Sequence, residues 1–190
     1  MFPNANIIID NFHLTQLIST ALNKTRINLM KKDKKNYRKL KRYWKLILKN
    51  QDDLKNNRYK KWTCFYKFMT QGDVVYYLVN TSKELKETYN VYQSLLYALK
   101  HKDYNNLKKT LNMEYLNISS YMKTAIKSFK NFLPYIKNTL ENSYHNGFIE
   151  GNNNFIKVIK RIAFGFRSFR RFKARIMICK GLISPKRKKA

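Results

Sequence analysis

The 190-residue chain carries 40 Lys and Arg against 11 Asp and Glu, a formal net charge of +29, and 44% of its residues are hydrophobic. Its 14 Tyr, 12 Phe and 2 Trp can form a hydrophobic core, so the chain is not expected to be intrinsically disordered. So large a charge on a small body repels itself and indicates a polyanionic partner, with nucleic acid first and an anionic membrane surface second.

Cysteine usage and the opening segment exclude further classes. Cys64 and Cys179 lie far apart, with no CxxC motif and no paired His, so neither a disulfide framework nor a zinc site is predicted. A reduced, cytoplasmic protein is expected. The opening segment lacks the basic region of a signal peptide, and no apolar stretch reaches the length of about 18 residues that a membrane span requires.

The first elements in chain order are a strand and a helix. Asn6 to Ile9 is a short β-branched run that ends at Asp10, which is typical of a buried strand with an acid at its C-terminal edge. Apolar residues then recur with helical spacing from Leu14 to Leu29. The predicted order is therefore strand, acid, helix.

The middle of the chain is predicted to be helical. Helical patterns cover residues 37–48 and 59–69, on either side of a polar break at 50–57. The run VVYYLV has the propensity of a strand, but the following Thr81-Ser82-Lys83-Glu84 fits a capping box. We therefore expect helices on both sides of residues 80–81.

Shorter helices are predicted in the C-terminal half. One covers Asp103 to Leu111, and another begins after a cap at Ser119 or Ser120 and is kinked or ended by Pro134. The next covers residues 148–163. After an interruption, a last helix restarts at Ser168 and is ended by Gly181 and Pro185.

The charge is distributed unevenly around two isolated acids. Asp10 is the single charge in residues 1–23, and Glu150 is the single charge in residues 142–154. Residues 155–190 carry 13 basic residues and no acid. Carboxylates that converge from separate elements can hold the paired Mg²⁺ ions used in phosphodiester chemistry. The alternative is that Asp10 caps the following helix and Glu150 complements a helix N-terminus.

Basic residues follow Glu150 closely. Aromatic and aliphatic residues at helical spacing separate them, and Ile159, Ile162, Phe166, Phe169 and Phe172 are expected to be core rather than a platform for bases. The basic side is expected to follow phosphates, the alternative being a solvated helix face. The candidate DNA contacts are Lys157, Lys160, Arg161, Arg167, Arg170 and Arg171.

Other catalytic classes have weak or no support. His13 lies three residues after Asp10, but a single His on the first turn of a helix is more often structural. Neither Cys has a His and an orienting acid at a recognisable spacing, so thiol catalysis is not predicted. The five Gly are scattered, and no GxxxxGK[ST] phosphate loop occurs.

Two segments resemble a known family. ANIIIDNFHLTQLISTALNKTR at residues 5–26 and NGFIEGNNNFIKVIKRIAFGFRSFRRFKARI at residues 146–176 look like the second-Asp and Glu segments of DDE transposases from bacterial insertion sequences. The similarity is to the branch with a long helical insertion between these two acids. The second segment is the more specific, because it combines an acid, Gly, Asn, a KxxKR step and FGFRSF in order.

The resemblance implies an RNase H-like α/β core, in which three carboxylates bind two Mg²⁺ or Mn²⁺ ions for DNA strand cleavage and transfer. Asp10 would be the second acid and metal ligand, and Glu150 the third. The fold expected for this chain is predominantly α, a C-terminal remnant of that core with one core strand near residues 6–9. The implied partner is double-stranded DNA at transposon ends. Transposases of this kind commonly act as homodimers, although no interface can be identified in the sequence.

The resemblance also divides the chain. Residues 1–29 would form the core strand and helix with the second acid, and residues 30–125 the helical insertion, whose basic face would contact DNA. Residues 126–183 would form core helices carrying Glu150, and residues 184–190 a basic tail. The family's first Asp lies on an earlier strand that residues 1–9 are too short to supply, so the chain is expected to be inactive alone.

Two alternatives remain open. A non-catalytic, basic helical protein would bind nucleic acid through the same surface and would be indifferent to substitution of Asp10 and Glu150. A cationic membrane-surface protein is compatible with the hydrophobic content, but Tyr and Asn interrupt its helical faces, which disfavours membrane binding.

Overall fold

The computed structural model describes residues 6–142 and 147–183. It separates into two compact units, residues 1–144 and residues 145–190. Helices dominate both units, and the described part of the chain contains a single two-stranded sheet. The prediction of a predominantly α fold is confirmed. None of the helices in these ranges is both long and apolar enough to cross a membrane.

The first unit contains eight helices and a short hairpin within its described residues. Their bounds are α1 Asn11–Lys32, α2 Tyr37–Arg42, α3 Trp44–Ile47, β1 Lys60–Lys61, β2 Phe68–Met69, α4 Gln71–Val79, α5 Lys83–Lys100, α6 Tyr104–Asn112, α7 Ser120–Asn131 and α8 Leu133–Glu141. A 3₁₀ turn at Gln51–Asp53 lies between α3 and β1. The predicted helix over 37–48 is therefore two short helices.

Helix α1 is the centre of the first unit. Its apolar residues repeat every three or four positions, so they form one stripe, and Leu14, Ile18 and Leu22 on that stripe are buried. This stripe packs against α5 and α7, with α2 beside it. The core therefore joins the segment predicted as residues 1–29 to helices of the predicted insertion. The division at residues 29 and 125 follows the family resemblance and stays a prediction.

Buried hydroxyl groups connect the three central helices. The Thr25 hydroxyl lies 2.6 Å from the Ser119 hydroxyl, and the Ser119 backbone N–H donates to the Thr88 hydroxyl at 3.1 Å. Ser119 also caps α7 by accepting from the backbone N–H of Met122. Because all three hydroxyl side chains are almost fully buried, these neutral hydrogen bonds fix the relative positions of α1, α5 and α7.

A buried arginine joins α1 to α2. The Arg26 guanidinium donates to the Asn23 side-chain oxygen at 2.8 and 2.9 Å and to the Leu40 carbonyl at 2.8 Å. Burial lowers its pKa, because a charged group loses hydration inside the protein. Three hydrogen bonds to neutral oxygens replace part of that hydration, so this cation holds two helices together.

The segment predicted as a helix over residues 59–69 is instead the β-hairpin, so that prediction is wrong. β1 and β2 pair antiparallel, with Lys60 opposite Met69 and Lys61 opposite Phe68. Trp62 lies in the connection and donates its indole N–H to the Met69 carbonyl at 2.8 Å. The buried Trp62 and Phe65 pack against Tyr43, which anchors the hairpin to the junction of α2 and α3.

The strand predicted near residues 6–9 is also absent from the structure. Residues 6–10 belong to no helix or strand, and Ile7 is largely exposed rather than buried. A strand needs another backbone for its hydrogen bonds, and here helix side chains supply partners instead. The Ile9 N–H donates to the Thr139 hydroxyl at 2.7 Å, and Asn138 of α8 donates to the Ile7 carbonyl at 3.1 Å.

Helix caps agree with the sequence in most places. Ser119 rather than Ser120 caps α7, and α8 begins at Leu133 with Pro134 in its first turn. The capping box predicted at residues 81–84 does not form, because Ser82 makes no side-chain cap. A capping box does form one helix earlier, between Thr70 and Asp73 at the start of α4.

The second unit contains two helices in its described part, α9 Gly147–Ile162 and α10 Phe169–Cys179. Lys180 contacts Asn152 and lies 5.3 Å from the Phe155 ring, so the end of α10 lies beside the first half of α9. Gly181 follows with a φ of +69°, which a glycine tolerates and which ends the helix as predicted. Pro185 and the basic tail 184–190 lie outside the described residues.

Ser119 and Ser120 give a matched test of the central hydrogen bonds. We expect Ser119→Ala to lower the free energy of unfolding by about 1–2 kcal/mol, because it removes a helix cap and a partner of the buried Thr25 hydroxyl. Ser120→Ala removes an exposed hydroxyl and is expected to change stability by less than about 0.5 kcal/mol. Urea unfolding of both variants measures the difference, and equal effects would contradict the assigned role of Ser119.

Candidate nucleic-acid interface

Asp10 caps the central helix. It is the residue before α1, and its carboxylate accepts the backbone N–H of Phe12 at 2.8 Å. Its backbone carbonyl accepts from the N–H groups of His13 and Leu14. The capping function considered from the sequence is therefore present, and one carboxylate oxygen is used in it. Its proposed function as a catalytic acid and metal ligand stays a prediction.

His13 lies on the exposed surface of the first turn of α1. Its ring meets the Phe12 ring edge-on, with the centroids 5.6 Å apart. Its backbone N–H is bonded to Asp10, which is the ordinary geometry of a helix start. This placement agrees with the structural interpretation of His13.

Glu150 lies in the first turn of α9 and is exposed. A negative charge there is favourable, because the N-terminal end of a helix carries a partial positive charge. Asp10 belongs to the first unit and Glu150 to the second, so their convergence on a metal stays a prediction. Within the described ranges, no group of three His, Cys, Asp or Glu side chains could hold a metal ion.

The six candidate DNA contacts all lie on the second unit and are all exposed. Lys157 and Arg161 are separated by four residues on α9, with Lys160 beside them, so they share one face of the helix. Arg170 and Arg171 lie in the first turn of α10, which contains no acidic residue. Positive charge is unfavourable at a helix N-terminus, so an arriving anion is favoured there.

The apolar residues of the second unit are less buried than expected. Ile159 is buried, and Phe166 and Phe172 contact each other with ring centroids 4.9 Å apart. However, Ile162 is 68% exposed and Phe169 is 78% exposed, so the prediction that they belong to a core is wrong for this chain. Two short helices cannot enclose both of their apolar faces.

Few of the basic side chains are neutralised by acids. Across residues 6–142 and 147–183, the ion pairs are Lys100 with Asp53 and Lys137 with Glu141, both at the surface. Several other acids are used in local hydrogen bonds instead. Bonds from Thr70 lower the pKa of Asp73, and bonds from Asn36 lower the pKa of Asp33.

A second basic surface lies on the first unit. Residues 31–49 contain ten Lys and Arg with Asp33 as the one acid, and they cover the end of α1, α2 and α3. Lys45 lies over the Trp44 ring and Lys41 over the Tyr37 ring. That the predicted insertion uses this face to contact DNA stays a prediction.

The hairpin adds residues that the sequence did not indicate. Tyr59, Tyr66 and Phe68 are at least two-thirds exposed, and Lys61 and Lys67 are exposed beside them. A run of residues 54–69 with basic side chains and no acid was the available signal. The helix predicted over residues 59–69 gives no indication that these rings are exposed together.

A comparison with known protein families identifies the family of this chain. Residues 1–176 match the sequence model of the ISL3 family of DDE transposases. The chain belongs to this family. The proteins of this family are described as transposases. Asp10 and Glu150 carry carboxylate oxygens, which are the type of ligand that Mg²⁺ prefers. The described residues hold no complete ligand cluster, and metal binding by these two acids stays a prediction.

One curated relative is similar to part of this transposase chain. It is a Lactococcus lactis subsp. lactis protein named ATP-dependent protease, 45% identical over 113 residues. The similar region covers 60% of this chain and 36% of the relative, so it spans about a third of the relative's length. No solved structure matches the chain.

Two substitutions of Asp10 distinguish the effect of its capping hydrogen bond from the effect of its negative charge. Asn caps helices as well as Asp does, whereas Ala cannot. We expect Asp10→Ala to lower the free energy of unfolding by about 1 kcal/mol and Asp10→Asn to leave it nearly unchanged. Thermal unfolding measures both. A loss as large in Asp10→Asn would contradict capping as the main structural role of this side chain.

Proposed function

We propose that this chain is the part of a DDE transposase that binds double-stranded transposon-end DNA and carries two of the three catalytic acids. The observation that supports it is the surface of the second unit, where six exposed cations are accompanied by a single acid, Glu150, among the described residues 147–183. DNA phosphates would neutralise these charges and release condensed counterions. The family membership independently supports DNA as the ligand.

Each element has a distinct function in this proposal. Lys157, Lys160 and Arg161 contact successive phosphates from α9. Arg170 and Arg171 bind a phosphate at the start of α10, where the backbone N–H groups add to the attraction. These contacts hold the DNA backbone and carry no base specificity.

The two isolated acids serve the chemical step. Asp10 and Glu150 would hold divalent metal ions, which activate the attacking oxygen when bound. The carboxylate of Asp10 is positioned by the Phe12 N–H, and Glu150 lies exposed in the first turn of α9. Two acids do not complete a DDE triad, so we propose that these 190 residues bind DNA without cleaving it on their own.

The simpler alternative is a helical nucleic-acid-binding protein with no catalytic part. The capping bond of Asp10 favours it, because that bond explains the residue without chemistry. The protease name of the lactococcal relative has no counterpart in this sequence, where the GxxxxGK[ST] loop that binds ATP phosphates does not occur.

The phosphate contacts predict a change in salt dependence. We expect the triple variant Lys157→Gln, Lys160→Gln, Arg161→Gln to reduce the slope of log K against log salt by about 3 for duplex DNA. Fluorescence anisotropy at several salt concentrations measures the slope. The matched control is Lys83→Gln, Lys86→Gln, Lys100→Gln on α5, where Glu84, Glu87 and Asp53 lie close by. Equal slopes for the two triple variants would contradict the proposed interface.

The acids are tested separately, by activity. We expect no Mg²⁺-dependent nicking of duplex DNA by this chain, and unchanged duplex affinity in Asp10→Asn and Glu150→Gln. Gel assays with supercoiled plasmid measure nicking. Nicking that Glu150→Gln abolishes would overturn the proposed inactivity and favour the catalytic assignment. An added polypeptide that contributes a first catalytic Asp and restores nicking only with intact Asp10 and Glu150 would separate the transposase proposal from the simple DNA-binding alternative.

A further inference from the structure

The β-hairpin carries an unusual surface. Tyr66 is fully exposed, Phe68 is 69% exposed and Tyr59 is 67% exposed. Large aromatic side chains in contact with water contribute nothing to folding, and their clustering on one short element indicates a binding surface. The hairpin lies outside the two segments on which the transposase resemblance was based.

The hairpin is held rigidly beneath these side chains. Trp62 donates to the Met69 carbonyl, and the Tyr43 hydroxyl donates to the Thr63 carbonyl at 2.5 Å. The capping box of Thr70 and Asp73 then fixes the point where β2 enters α4. A preorganised surface loses little conformational freedom on binding, so its exposed rings are available at low entropic cost.

Cations alternate with the exposed rings. Lys61 and Phe68 are directly opposite each other in the strand pair, so their side chains lie on the same face of the hairpin. Lys67 separates Tyr66 from Phe68 in the sequence. Residues 54–69 contain five Lys and Arg and no acid. Binding of an anionic ligand to this surface is therefore much more favourable than binding of a second copy of this basic protein.

A groove continues this surface towards α4. It has a volume of about 640 Å³ and is lined by Lys67, Phe68, Tyr76 and Tyr77 together with the amide side chains of Asn36 and Asn80. Asp73 also lines it, with a carboxylate oxygen bonded to Thr70. This volume lies within the range of small-molecule sites, and rings with nearby amides suit a planar heterocycle.

We propose that the hairpin and this groove bind single-stranded DNA, with unpaired bases stacking on Tyr66 and Phe68 and Lys61 and Lys67 contacting the flanking phosphates. Paired bases are already stacked on each other in a duplex, so exposed rings select unpaired bases. The inference rests on the proposed DNA-binding function. It adds that this surface recognises single-stranded rather than double-stranded DNA.

The test compares two DNA ligands and two double variants. We expect Tyr66→Ala with Phe68→Ala to weaken binding of a labelled oligothymidylate of about 20 nucleotides by about tenfold or more, because each stacked base contributes substantially to affinity. Duplex binding should change by less than about twofold. Both affinities are measured by fluorescence anisotropy at one salt concentration.

The controls keep the surface chemistry constant. Tyr66→Phe with Phe68→Tyr retains both rings and should retain single-strand affinity. Tyr97→Ala removes an exposed ring from α5, where it stacks on His101, and should leave both affinities unchanged. Circular dichroism confirms that each variant is folded.

Several results would overturn the inference. Unchanged single-strand affinity in the double Ala variant would do so, as would an equal loss on duplex and single-stranded DNA. A change from dimer to monomer in sedimentation without an effect on DNA would identify the rings as a contact between copies of the chain. Failure of the unmodified protein to bind duplex while it still binds the oligothymidylate through these rings would contradict the proposed function alone.

Discussion

Mutual repulsion among 40 basic side chains is the constraint to which the rest of this structure responds. The first unit resolves it by keeping charge out of its centre, where neutral hydroxyl groups rather than ion pairs connect α1, α5 and α7. The one buried cation, among the residues that the structure describes, is Arg26, and it is satisfied by an amide oxygen and a carbonyl. Four of the eleven acids, Asp10, Asp33, Asp73 and Asp103, accept hydrogen bonds at helix starts or turns. The excess charge is consequently left on the surface, where a polyanion can neutralise it, and the core is stable without using that charge.

The helices could be predicted because their apolar residues repeat with the helical period. The hairpin could not, for a specific reason. Trp62, Phe65 and Met69 are three and four positions apart, which is also the spacing of a helix face. Their inward positions arise from two strands of two residues each, a turn, and the indole bond of Trp62 across the hairpin. The strand predicted at residues 6–9 was wrong for a related reason, since β-branched composition reports propensity but cannot supply a backbone partner.

The candidate site was predictable in part. A run of cations without acids predicts that the six candidate DNA contacts are exposed, and they are: Lys157, Lys160, Arg161, Arg167, Arg170 and Arg171. The exposure of Ile162 and Phe169 could not be predicted in this way. Helical spacing shows which side chains share a face, but it does not reveal whether another element covers that face. Asp10 illustrates the same limit for chemistry, because a capping acid and a metal-binding acid are identical in sequence. Only the hydrogen bond to the Phe12 N–H distinguishes what this side chain does within the fold.

The bonds between Ile9 and Thr139 have an architectural consequence. The Thr139 hydroxyl contacts both the N–H and the carbonyl of Ile9, so the polypeptide leaves this point and returns to it after 130 residues. Two segments near the ends of the first unit are thereby held next to each other. A module with adjoining ends can be accepted into a surface loop of a host domain, or removed from it, without separating the flanking chain. Adjoining ends are also the property that lets a compact unit tolerate circular permutation, because a short new link between them would leave its packing unchanged.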